Sequence, residues 1–131
     1  RDALADLEAA AALAPADATA ANALGYLLAN RTGQSRKAWR YVRRAFEMQP
    51  RSAAIEDSLG WTLVKLGRYD EARSYLEEAL RRLPDPEIAS HLADVNWKLG
   101  DRHAATELLR SAVVAFPDSA PAVDTADRLL N

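Results

Sequence analysis

Cysteine is absent from these 131 residues, and methionine occurs once. No cysteine means no disulfide and no thiolate metal site, while the redox compartment stays open. Histidine is nearly absent too: His91 and His103 are the only two. They do not stand four residues apart on a helix and have no cysteine beside them, so zinc chemistry has no ligand set. No apolar run reaches the roughly 18 residues that a membrane-spanning helix needs. No glycine-rich phosphate loop or dinucleotide fingerprint is present. The chain opens at Arg1 without a methionine or a signal-peptide pattern, as expected of an excised or processed piece.

What is present is apolar and periodic. Nearly half of the residues are hydrophobic, which excludes a disordered tail. Pro15, Pro50, Pro84 and Pro117 recur at intervals of 35, 34 and 33 residues. Ala10, Ala45, Ala79 and Ala112 each stand five residues before one of these prolines, and Ala3, Ala38, Ala72 and Ala105 seven before those alanines. Gly33, Gly67 and Gly100 stand five before the last three of that second set. Leu24–Gly25, Leu59–Gly60 and Leu92–Ala93 stand eight or nine residues further upstream. A period of about 34 residues means a stacked array of supersecondary units.

The stretches between these marks carry apolar residues at spacings of three and four, without the alternation of a strand. Asp85 before Pro86 is a cap followed by a first-turn proline. Asp70 and Glu71 suit a helix N-terminus. Each period is therefore a helix pair, A then B, with a glycine turning the chain after A. The small residues mark a close crossing: Gly25, Gly60 and Ala93 on A face Ala38, Ala72 and Ala105 on B, and Ala45, Ala79 and Ala112 admit the next A helix.

This pattern resembles the tetratricopeptide repeat family over nearly the whole chain, and "SLGWTLVKLGRYDEARSYLEEALRRLP" (58–84) is close to its consensus. The resemblance implies an all-α right-handed solenoid of about eight helices. Its expected parts are a partial repeat with helix B only at 1–17, repeats at 18–52, 53–85 and 86–118, and a capping helix at 119–131. Two departures stand out. The turn "NRTGQS" has one extra residue, and Asn96 replaces a large apolar or tyrosine side chain, so a looser third repeat is expected. The phrases "NALGYLLANRTGQSRKAWRYVRRAFEMQP" and "LPDPEIASHLADVNWKLGDRHAA" are similar to the C-terminal repeats of proteobacterial proteins, some of them outer-membrane lipoproteins that deliver substrates to a periplasmic protease.

The family implies a non-catalytic scaffold or adaptor, without cofactor or metal, that binds a protein or peptide on its concave face. On the family's pattern the groove residues are Asn22, Tyr26 and Asn30, then Asp57, Trp61 and Lys65, then Ser90, Asp94, Trp97 and Lys98. The lysine, asparagine and arginine set that clamps a C-terminal carboxylate in some members is missing, since those positions read Asn22, Tyr26, Asp57, Ser58 and Trp61. Ser90, His91 and Asp94 are not a catalytic triad, because neighbouring helical positions point apart; they are expected to be exposed polar residues of helix A. Residues 35–51 carry six cations against Glu47 alone, whereas the whole chain has a net charge of −2. Arg36, Arg40, Arg43 and Arg44 share a face whose first reading is ordinary solvated surface; as a binding face it suits an acidic partner better than nucleic acid, with no aromatic residue expected among them for stacking. The expected setting is the bacterial periplasm or outer membrane within an envelope complex, with the cytoplasm as the alternative. A structural spacer is the competing function, and the open N-terminal half repeat offers an edge for a second copy.

Overall fold

The structure, a computed structural model, describes residues 3–13 and 16–131. Pro15, one of the four periodic prolines, lies outside the described residues. Among them the chain forms eight α-helices: α1 (Ala3–Leu13), α2 (Ala18–Ala29), α3 (Ser35–Met48), α4 (Ala53–Lys65), α5 (Tyr69–Arg82), α6 (Pro86–Lys98), α7 (Arg102–Ala115) and α8 (Ala120–Leu130). None is long and apolar enough to cross a membrane.

Each A helix starts where a short polar side chain satisfies free backbone amides. Asp17 accepts from Ala20 N, Ser52 from Ile55 N, and Asp85 from both Glu87 N and Ile88 N. Ser119 caps α8 in the same way. Such caps supply hydrogen-bond acceptors for the orphan N–H groups of the first turn. The turn after each A helix contains a glycine of positive φ, at Gly33, Gly67 and Gly100. Beyond α4 and α6 the turn closes with Arg68 N donating to Leu63 O and Asp101 N donating to Asn96 O, both 2.9 Å. These bonds satisfy carbonyls that a helix end leaves free, and glycine adopts that backbone without steric cost.

The helices pair as the small residues require. α2 packs on α3, α4 on α5 and α6 on α7; successive pairs stack, and α8 lies against both α6 and α7. Ala38, Ala72 and Ala105 are fully buried. A methyl added at Gly25 would lie 2.2 Å from Val42 Cγ2, 3.1 Å from Val42 N and 3.2 Å from Ala38 O. At Gly60 it would lie 2.7 Å from Leu76 Cγ and 3.3 Å from Ala72 O. The second set of alanines works between pairs: Ala45 packs with Ala18, Ala21 and Ile55, and Ala112 with Ala89 and Ala122. The central cluster joins Leu63 and Val64 of α4, Ala72 and Leu76 of α5, and Leu92 and Val95 of α6.

Two details depart from strict periodicity. Ala3 and Ala10 are exposed, unlike their equivalents further along. α1 instead turns Leu4, Leu7 and Ala11 onto α2. Asn96 is buried, and the α6–α7 interface is less extensive than those of α2–α3 and α4–α5.

The crossings yield a comparative prediction. At Gly25 the obstacle includes backbone atoms and a stiff β-branched side chain. At Gly60 the nearest atoms belong to a leucine that can move. Alanine favours a helix interior over glycine by about 1 kcal/mol, while overpacking costs about 1–3 kcal/mol. Gly25→Ala is therefore expected to lower stability by about 1–2 kcal/mol, and Gly60→Ala to change it by less than about 1 kcal/mol. Urea unfolding of both variants checks the order; a reversed order would show that the α2–α3 crossing is not the tighter one.

Candidate functional site

The inner face is built by α2, α4 and α6, whose side chains meet across the repeats. Asp57 and His91 occupy equivalent places one repeat apart. His91 Nδ1 lies 2.9 Å from Asp57 Oδ1, and both residues are buried. The His91 imidazole stacks on the Trp61 indole with centroids 4.1 Å apart and an 18° interplanar angle. Trp61 Nε1 donates to Asn30 Oδ1 at 3.0 Å, and the Lys65 ammonium sits 4.4 Å from the indole centroid. Tyr26 of α2 reaches past α4 to donate its hydroxyl to Glu87 of α6 at 2.6 Å. Further along, Arg128 of α8 donates through one nitrogen to both oxygens of Asp94, each at 2.8 Å.

Charge on this face is mainly negative. Burial, then the hydrogen bond to Glu87, hold the Tyr26 phenol above its ordinary range, so it stays a donor. Burial raises the Asp57 carboxyl, and His91 pulls against that rise. Burial lowers the Lys65 ammonium, and neighbouring Lys98 lowers it further. Between α2, α4 and the start of α6 lies a cleft of about 300 Å³. Its apolar wall includes Ala23, Leu83 and Ile88, and its polar wall includes Asn22, Asp57 and Glu87. Asp85 also lines it, and no lysine or arginine does. Asn22 Oδ1 is buried and accepts no hydrogen bond.

The ten residues anticipated on this face do not form one row. Asn22, Tyr26 and Asp57 share the cleft, and Asn30, Trp61 and Lys65 share the stack beside it. Asp57 is no free acceptor beside Trp61, because His91 occupies its Oδ1 from the next repeat. Ser90 is buried and donates to Pro86 O at 2.8 Å, back into its own helix. Asp94 is buried and accepts from Arg128. Trp97 packs with Ala93, Ala105 and Leu109 among α6, α7 and α8, apart from Trp61, with Arg102 over its ring. Lys98 lies 5.9 Å from the Tyr69 ring centroid.

Three corrections follow. Ser90, His91 and Asp94 are buried rather than exposed. His91 is the centre of the inner network. Aromatic residues do stand among the arginines of α3: Arg44 lies over Tyr41 and Arg68 over Trp39. Reasoning within single helices missed His91, Asp85, Glu87 and Arg128. The available signal was the period itself, since Asp57–His91 and Asp94–Arg128 are each 34 residues apart.

A family model described as tetratricopeptide repeat matches residues 58–120. A TPR repeat-containing protein of Pseudomonas aeruginosa is 42% identical over 89 residues, which are 68% of this chain and 15% of that protein. The chain belongs to the tetratricopeptide repeat family. It therefore spans a small part of that curated relative. A thermophilic TPR protein of Thermus thermophilus superposes with a TM-score of 0.80 at 25% identity, covering 98% of this chain and 72% of that one. The APC/C hetero-tetramer Cut9–Hcn1 superposes with a TM-score of 0.79 at 23% identity, covering 95% and 26%. The fold is the all-α superhelix of tetratricopeptide repeats, with α2, α4 and α6 as its A helices and α3, α5 and α7 as its B helices.

Burial of the Asp57 carboxyl makes the stability of this tetratricopeptide array pH-dependent. The fold favours the neutral Asp57 carboxyl. Its contribution is complete below about pH 4, where the unfolded chain also holds the proton. It declines as pH rises through the elevated folded value. Asp57→Asn cannot ionise, so between about pH 4 and about pH 7 it is expected to gain stability relative to the native chain. Urea unfolding at both pH values measures this; a difference that stays constant would contradict the burial argument.

Proposed function

We propose that the chain is an adaptor segment that binds a partner polypeptide along the inner face of its A helices. The tetratricopeptide fold is that of a protein–protein interaction scaffold, and its members are generally non-catalytic. The observation that carries the reading is the cleft between α2, α4 and α6. It combines an apolar wall with carboxylates from Asp85 and Glu87, beside the buried Asp57 carboxyl, and no lysine or arginine lines it. A lysine or arginine of the partner fits it, with the aliphatic stem against Leu83 and Ile88 and the charged head toward the carboxylates. Beside the cleft, Trp61 adds a rigid aromatic surface of the kind that anchors interfaces. The bacterial envelope is the proposed setting, where the segment would bring substrates or partners to a periplasmic protease or another envelope complex. Its similarity to a Pseudomonas protein supports a bacterial context.

A second reading, a structural spacer or oligomerisation segment, has its own support. Asn30, Trp61, His91 and Asp57 satisfy one another, as do Tyr26 with Glu87 and Asp94 with Arg128. A face so internally bonded suits a rigid rod as well as a preformed groove.

Selection of random displayed peptides on the purified chain separates the two. The adaptor reading expects recovered peptides to carry a lysine or arginine flanked by apolar residues. It also expects Asp85→Asn with Glu87→Gln to weaken them at least about tenfold, the loss that 1.4 kcal/mol corresponds to. Both substitutions keep the cap and the Tyr26 acceptor while removing charge. Failure to recover any binder, or binding indifferent to the double substitution, leaves the spacer.

A further inference from the structure

The outer face of α3 carries the opposite charge. Arg36, Lys37, Arg40 and Arg44 form no ion pair among the described residues, whereas Arg43 is held by Glu47 at 3.2 Å and Arg68 by Glu71 at 2.8 Å. Arg36, Arg40 and Arg44 stand four apart and form one stripe on the helix, where like charges repel. That stripe turns away from the buried face of α3, which is Ala38, Val42 and Ala45. Arg40 borders two clefts. One, of about 610 Å³, is lined by Arg36, Trp39, Arg40, Leu66 and Arg68. The other, of about 260 Å³, is lined by Lys37, Arg40, Tyr41 and Arg44. Arg44 Nε is buried without an acceptor.

We propose that this face docks an acidic polypeptide segment of a partner protein, carboxylates on the four unpaired cations and an apolar side chain on Trp39 and Leu66. Planar guanidinium groups match carboxylates in a bidentate way. The half-buried indole and leucine supply the apolar floor that a carboxylate alone would not need. Nucleic acid fits less well. A phosphate backbone extends its charge beyond four cations onto a chain that is otherwise acidic, whereas a short acidic segment ends with them.

The site is on a B helix and does not depend on the inner groove. Fluorescence anisotropy on the whole chain tests it, with a labelled synthetic peptide of Glu-Glu-Leu repeats and a labelled single-stranded oligonucleotide as probes. The peptide is expected to bind with an affinity that falls as salt rises. Arg36→Glu with Arg40→Glu should weaken it at least tenfold. Arg36→Lys with Arg40→Lys should weaken it less, and Glu87→Gln should leave it unchanged. Both arginines are exposed, so circular dichroism should show the helices intact in each variant. Peptide binding that survives charge reversal overturns the proposal. Tighter binding of the oligonucleotide, lost on charge reversal, overturns it in favour of nucleic acid.

Discussion

Two helices can approach no closer than the largest side chain at their crossing allows, and the rest of this molecule depends on that limit. At Gly25 the facing helix is so near that its Val42 side chain already occupies the space of a methyl group. Gly60 and Ala93 hold the same place in the next two pairs, against Ala72 and Ala105. Thin pairs permit close stacking, and Ala45, Ala79 and Ala112 continue the rule between pairs. The glycine turns and the polar caps then set the direction in which each A helix leaves its predecessor. Nothing in this arrangement needs a metal, a disulfide or a large aromatic core.

Close stacking brings equivalent positions of successive A helices within side-chain reach. Asp57 meets His91, Asp94 meets Arg128, and Tyr26 reaches across a whole helix to Glu87. These contacts are not the source of the fold's stability. Polar groups removed from water lose solvation that their pairing only partly returns, so such contacts fix geometry more than they stabilise. Fixed geometry is what a binding surface needs, because a preorganised face loses less entropy when its partner arrives. The result is a chain with two faces of opposite sign: carboxylates around a cleft on the A helices, and unpaired guanidinium groups on α3.

Much of the fold was legible because its determinants are local and repeated. A glycine of positive φ, an aspartate before a proline and an alanine in a tight crossing each keep their meaning in isolation. The site was less legible because its contacts run between repeats. Read along α4 alone, Asp57, Trp61 and Lys65 make an open stripe; only the next A helix reveals that His91 fills the gap between them. Read along α6 alone, Ser90, His91 and Asp94 are ordinary surface polars, and it takes α4 and α8 to bury them. Trp97 has the spacing of a groove residue but lies where α7 and α8 close over it. The arginines of α3 were visible as a charged face, whereas Trp39 and Tyr41 were not seen among them because each ring lies beneath a guanidinium.

The central claim is that curvature of the array places the inner sides of α2, α4 and α6 in one continuous surface. The tie between Tyr26 and Glu87, 61 residues apart, spans that surface and exists only if the A helices are so disposed. A double-mutant cycle of Tyr26→Phe and Glu87→Ala, read by urea unfolding at neutral pH, measures it directly. A coupling of about 1 kcal/mol is expected for a hydrogen bond to a partly buried charged group. Additivity of the two substitutions to within about 0.3 kcal/mol would mean that the hydroxyl and the carboxylate do not meet, and that the three A helices do not form the surface described.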